Sequence, residues 1–135
     1  MFGRSVLVAT ALAATALTAP AAPSYAHAAA RPVTLSNADN GRTVSLHSGD
    51  TVTVHLKAMS GRGEKWVWDV PATSDARVLS RSSGHTVANG DAEATFRAVH
   101  HGRSTITAHS RCVVTAPGHT CPHVVIPWKA TIDIR

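Results

Sequence analysis

The chain reads as all-β, a two-sheet sandwich of seven to nine short antiparallel strands. Three observations point there. Beyond residue 28 no stretch repeats its apolar residues with a helical period. Apolar and polar residues alternate one by one instead, the mark of half-buried strands. Turn chemistry built on Gly, Asn and Asp separates these runs at short intervals.

The elements follow in order. Val33 and Leu35 alternate with polar residues, and Asp39-Asn40-Gly41 turns the chain. Val44 and Leu46 alternate with Thr43, Ser45 and His47, and Ser48-Gly49-Asp50 turns it again. Val52, Val54 and Leu56 against Thr51, Thr53, His55 and Lys57 make the cleanest strand. After a Gly-rich loop at 58–65, Trp66, Trp68 and Val70 share a face until Pro71, which has no N–H to give to a ladder. Val78-Leu79 is a short strand. Residues 80–91 read as loop, from Ser82-Ser83-Gly84 to Asn89-Gly90-Asp91. Ala92, Ala94, Phe96 and Ala98 alternate next, and His101-Gly102-Arg103 turns into a strand that points Ile106 and Ala108 inward. A long loop, 110–123, leads through Val124-Val125-Ile126 to the last strand, with Trp128, Ala130, Ile132 and Ile134 on one face and Lys129, Thr131 and Asp133 on the other. The arrangement is immunoglobulin-like, with Trp68 as its buried tryptophan. Trp66 and Trp128 also read as core. Neither cysteine lies on a strand flanking Trp68, so the inter-sheet disulfide of antibody domains is absent.

Residues 1–28 read as a secretion signal ahead of a single domain at 29–135. Arg4 forms a short basic head, Val6 to Leu17 an apolar stretch, and Ser24-Tyr25-Ala26 and Ala26-His27-Ala28 are both small-x-small cleavage patterns. The apolar stretch is shorter than the ~20 residues a bilayer span needs, so the expectation is an exported, extracellular chain with no membrane anchor. Its loose tail ends near Pro32.

Once Arg4 is removed an excess of about four positive charges remains, with no run of Lys or Arg. Nucleic-acid binding calls for a basic stripe, so that class is excluded. Histidine is common, with nine in the chain, and would make the domain more cationic below about pH 6.5. No Gly-x-Ser-x-Gly elbow and no His-Glu-x-x-His motif is present. The acidic residues fall mostly in turns or on outward strand positions, so no glycosidase-type carboxylate pair emerges. The chain is expected not to be an enzyme.

Cys112 and Cys121 are the two cysteines. In an exported chain such a pair is a disulfide, here one that pins a loop containing Pro117-Gly118. A metal site at His119, Cys121 and His123 would need a reduced thiolate outside the cell. The histidine pairs His119/His123 and His100/His101 would be weak copper or nickel sites. No metal and no other cofactor is expected.

The segments Asp39-Asn40-Gly41, Val44-Ser45-Leu46 and Gly49 to Leu56, the aromatic-x-Trp of Trp66-Val67-Trp68, and Ala94 to Ala98 followed by Gly102 and Ser104 to Ala108 resemble the scaffold of chagasin-type cysteine-peptidase inhibitors. The likeness runs from about Val33 to Ile134. It implies an immunoglobulin-like sandwich that sets three end loops into the cleft of a papain-like peptidase. Where that family has Asn-Pro-Thr-Thr-Gly, this chain has Met59 to Lys65. The family's Arg-Pro-Trp is matched only by Arg111. Pro127-Trp128 opens the last strand and lies on the wrong side of the loop. The resemblance also extends to bacterial immunoglobulin-like modules in general. It implies a monomer that meets its partner through Gly61, Arg62, Gly63, Gly84, His85 and Arg111. The partner would be a cysteine peptidase. The alternative is a structural or adhesive surface module that holds cell-wall polymer through its basic and histidine charges.

Overall fold

The computed structural model describes residues 31–135, together with Gly3, Ala11 and residues 13–21. Both expected cleavage patterns, and much of the expected leader at 1–28, lie outside the described residues. Among the described residues no helix is long and apolar enough to cross a membrane.

Ten strands follow one another: β1 (Pro32–Leu35), β2 (Thr43–Leu46), β3 (Thr51–Leu56), β4 (Met59–Ser60), β5 (Glu64–Trp68), β6 (Ala72–Thr73), β7 (Leu79–Thr86), β8 (Ala92–Ala98), β9 (Gly102–Val114) and β10 (Val125–Ile134). The first sheet has the order β1-β3-β8-β7; the second has β2-β10-β9-β5-β4, with β6 also on β9. The sandwich is the expected fold, but it carries more strands than the expected seven to nine, and two pairings, β1–β3 and β2–β10, are parallel. Each parallel pair forms because the chain crosses to the other sheet between its members, so no hairpin turn intervenes.

The alternation puts its apolar sets where it should. Leu35, Val52, Val54, Leu56, Ala94 and Phe96 from one sheet meet Val44, Leu46, Ile106, Trp128, Ala130 and Ile132 from the other in one core. Trp128 is 2 % exposed and its Nε1 donates to the Ser36 carbonyl at 3.1 Å, so its one polar atom is satisfied inside. This corrects the expectation for Trp68. That residue is half-buried at the core's margin, with Nε1 donating to the Lys57 carbonyl at 3.0 Å. Trp66 is half-buried and lies outside the core cluster. The reason is position: β5 pairs with the far end of β9, beyond the central rows of the sandwich.

A second correction concerns residues 80–91. Leu79–Thr86 is an eight-residue strand paired with β8, with a register shift between Arg81 and Ser83. Its sequence hides this because only Leu79 is buried and the remainder faces solvent at a sheet edge. Likewise β9 runs on to Val114, so Arg111 and Cys112 stand on a strand and the third loop shrinks to 115–124.

Asp50 is the polar clasp of the turn before β3. It is nearly buried, and its carboxylate accepts from the backbone N–H of His47 at 2.8 Å and of Arg31 at 3.0 Å. These bonds, that from His47 foremost, hold its pKa below the usual carboxylate value. Its contribution is therefore complete above about pH 4 and disappears as pH falls through the lowered pKa. Asp50→Ala is expected to cost about 1–3 kcal/mol at pH 7. The gap to wild type should narrow in acid melts; a gap that does not change with pH would refute the assignment.

Candidate functional site at the loop end

Beyond Trp68 and Ser110, β9 continues paired with β5 through Glu64↔Val114. The first sheet has by then closed on its last pairs, Leu56↔Ala92 and Thr86↔Ala92. The second sheet thus runs on past the core as an overhang, and three connections gather there. The β4–β5 tip is Gly61-Arg62-Gly63, the β7–β8 turn is Val87–Asp91, and the β9–β10 loop spans 115–124.

Each connection is tied to its neighbour. The Thr115 N–H donates to the Gly63 carbonyl at 2.8 Å. The His119 ring lies against the α-carbon of Gly63, where a Cβ would come within 2.2 Å of the imidazole. Cys112 and Cys121 form the expected disulfide, their α-carbons 5.6 Å apart. The middle turn docks on β5: Trp68 N–H donates to the Gly90 carbonyl at 2.9 Å, and Lys65 Nζ to the Ala88 carbonyl at 2.9 Å. Asp91 accepts from the Ala58 N–H at 2.7 Å. The result is a braced tripod whose tips are held without reliance on a partner.

Its surface is apolar with free cations. Within residues 31–135, every exposed large apolar side chain except Val99 lies at this end: Met59, Val87, Val113, Val114, Val124, Val125 and Ile126. Among the described residues, arginine ion pairs are Arg42–Asp39, Arg77–Asp75 and Arg103–Asp133; Arg62 and Arg111 have none. Arg111, Cys112, Cys121 and His123 line a recess of about 390 Å³ under the disulfide loop.

Of the residues singled out from sequence, Gly61, Arg62 and Gly63 form the β4–β5 tip, latched to the disulfide loop. Arg111 stands on β9 between Val67 and Val125. Gly84 and His85 are displaced from their expected place: both lie on β7, with Gly84 packed against Val70 and His85 opposite Glu93. The turn that takes their place, Val87–Asp91, was visible only as Asn-Gly-Asp turn chemistry. The bracing role of His119 had no local signal. The thiolate site at His119, Cys121 and His123 does not form, because Cys121 is bonded to Cys112.

Gly63 has φ +76°, a conformation that side chains disfavour, and no room for one. Gly63→Ala is expected to destabilise by about 1–2 kcal/mol through the backbone alone and to expel the His119 ring. The check is the loss of hydrogen-exchange protection at the Thr115 amide. A variant that keeps that protection would show that the latch is not needed.

The two-sheet sandwich with its gathered loops is an immunoglobulin-like fold similar to that of chagasin-type proteins. Solved structures share it. EhICP2, a cysteine protease inhibitor from Entamoeba histolytica, is 15% identical, with 77% of this chain and 95% of that one aligned at a TM-score of 0.52. Amebosin is 14% identical over 78% of this chain and 99% of its own, also at 0.52. The inclusion body protein PixA of Burkholderia cenocepacia is 10% identical over 82% and 98%, again at 0.52. No protein-family model matches the chain, and no curated protein matches it. At such identities the likeness is one of fold.

Proposed function

We propose that this chain is a secreted, monomeric inhibitor of papain-like cysteine peptidases that acts through the loop end. The observation that carries this reading is the convergence of three mutually braced loops with nearly all of the domain's exposed large apolar side chains. The fold shared with EhICP2, a cysteine protease inhibitor, supports it. Such a surface, apolar and rimmed by polar groups, suits a protein partner. Inhibition would work by occlusion. The tip at Gly61–Gly63 and the loop at 115–124 enter the cleft, while the middle turn seats against its wall. Stable binding takes roughly 800 Å² per partner, and pre-bracing lowers the ordering cost. Arg62 and Arg111 favour a cleft with an acidic rim. The leader read from the sequence and a disulfide, which persists in oxidising compartments, support export.

Titration against a panel of papain-like peptidases tests this. Competitive inhibition with Kd below about 1 µM, equivalent to about 8 kcal/mol, is expected, and Arg111→Glu should weaken it. No inhibition by 10 µM protein, roughly tenfold above that limit, overturns the reading. Attention would then pass to wall-polymer adhesion, which a few hundred millimolar salt would abolish.

A further inference from the structure

The outer face of the first sheet carries an alignment that peptidase binding leaves unused. Strand register pairs His55 of β3 with Glu93 of β8, and Glu93 with His85 of β7. The three side chains stand in one row across three adjacent strands, on the solvent face, because Ala92 and Ala94 take the inner one. Glu93 Oε2 lies 3.5 Å from His55 Nδ1 and 4.0 Å from His85 Nε2. All three line a single recess of about 220 Å³.

As an ion-pair ladder this arrangement gains little. Exposed pairs are weak, and protonating both rings would set two cations on one carboxylate oxygen. As a ligand set it is apt. Two neutral imidazoles and a carboxylate hold Zn²⁺ in many proteins, at bond lengths of about 2.0–2.2 Å. Ligand atoms in such a tetrahedron sit roughly 3.3 Å apart, so the His55–Glu93 spacing is already that of a chelate. His85 has to close on Glu93 by under about one ångström, and the two rings have to turn toward each other by more than that, because their nitrogens stand farther apart than a chelate allows. The side chains of His55 and His85 are 51% and 59% exposed, which leaves them room to turn, while the strands fix their bases. Asp91 shares the recess, but its two oxygens accept from the Ala58 N–H and from Asn89 Nδ2, so it supplies charge rather than a bond. Lys57 shares the recess too and works against a cation. We infer that His55, Glu93 and His85 form a surface site for a divalent transition metal of the Zn²⁺ class, with the fourth position open to water. Cu²⁺ would bind more tightly than Zn²⁺ in the usual order of affinities. Bound metal would bridge β3 to the edge strand β7 across β8. The site shares no ligand with the histidine pairs His100/His101 and His119/His123.

Calorimetric titration of the tag-free full-length chain with ZnCl₂ tests this directly. One equivalent should bind with Kd in the micromolar range, and the melting temperature should rise with added zinc. His55→Ala, His85→Ala and Glu93→Gln should each weaken binding about tenfold or more and remove the thermal shift; His119→Ala and His100→Ala should do neither. All these positions are partly or fully exposed, and circular dichroism verifies the fold of each variant. No binding below about 100 µM Kd (roughly 5.5 kcal/mol) overturns the inference, as does binding that survives loss of His55 and His85. Peptidase inhibition, measured separately, does not bear on either outcome.

Discussion

Trp128→Ala is expected to be the most damaging single substitution in the sandwich, at about 3–5 kcal/mol. The indole is the largest fully buried side chain, at 2 % exposure. Its neighbours come from both sheets, so they cannot collapse into the space without moving strands, and the penalty includes the cavity as well as lost burial. The substitution also removes one of the two hydrogen bonds to the Ser36 carbonyl, which keeps the Asp39 N–H at 3.0 Å, so this loss adds little to the cavity cost. A domain of this size has about 5–15 kcal/mol in total, so melting should fall by roughly 15–25 °C or folding should fail. Trp128→Phe, which keeps much of the volume, should recover a large part. Trp68→Ala should cost roughly half as much, because that ring is only half-buried at the margin. If Trp68→Ala proves the more damaging of the two, the core has been placed at the wrong tryptophan.

The contrast between the two indoles shows what could be read from the chain. Strands whose inner face is Val, Leu or Ile announced themselves by period-two alternation: Val52-Val54-Leu56 and Trp128-Ala130-Ile132-Ile134 are buried as the pattern requires. The alternation does not reveal depth. Trp66, Trp68 and Val70 satisfy it yet are only half-buried, Trp68 and Val70 at the core's margin and Trp66 outside it. Strand β7 has no alternation because it buries only Leu79, so Ser82-Ser83-Gly84 carries the chemistry of a loop while standing on a strand. Parallel pairing of β1 with β3 and β2 with β10 depends on contacts far apart in sequence, and no local motif encodes it. The site divides the same way. The glycines of the first tip and the cysteine pair were legible because turn chemistry and oxidation are local arguments. The stacking of His119 on Gly63 and the row His55–Glu93–His85 required the fold.

Removing the disulfide should separate stability from binding. In the Cys112→Ser, Cys121→Ser double variant, the nine-residue separation of the pair predicts a chain-entropy cost of up to about 2.7 kcal/mol. None of the core residues lies inside that ring. The structure it supports is local: Lys65↔Val113, Glu64↔Val114 and the Gly63–Thr115 hydrogen bond. In the variant this overhang can fray while the sandwich remains folded, which caps the global loss. Melting should therefore fall by no more than about 10–20 °C, while amides at Val113, Val114 and Thr115 lose hydrogen-exchange protection first. Inhibition should suffer more visibly. A partner would have to reorder the loop on binding, and 2.7 kcal/mol corresponds to about 100-fold in affinity. The same signature should appear in the wild-type protein on reduction and vanish on reoxidation. Local exchange that rises with inhibition unchanged would place the working surface on the Gly61–Gly63 tip and the Val87–Asp91 turn instead. Exchange and inhibition that both stay unchanged would mean that the β-ladder and the His119 contact hold the loop without the bond.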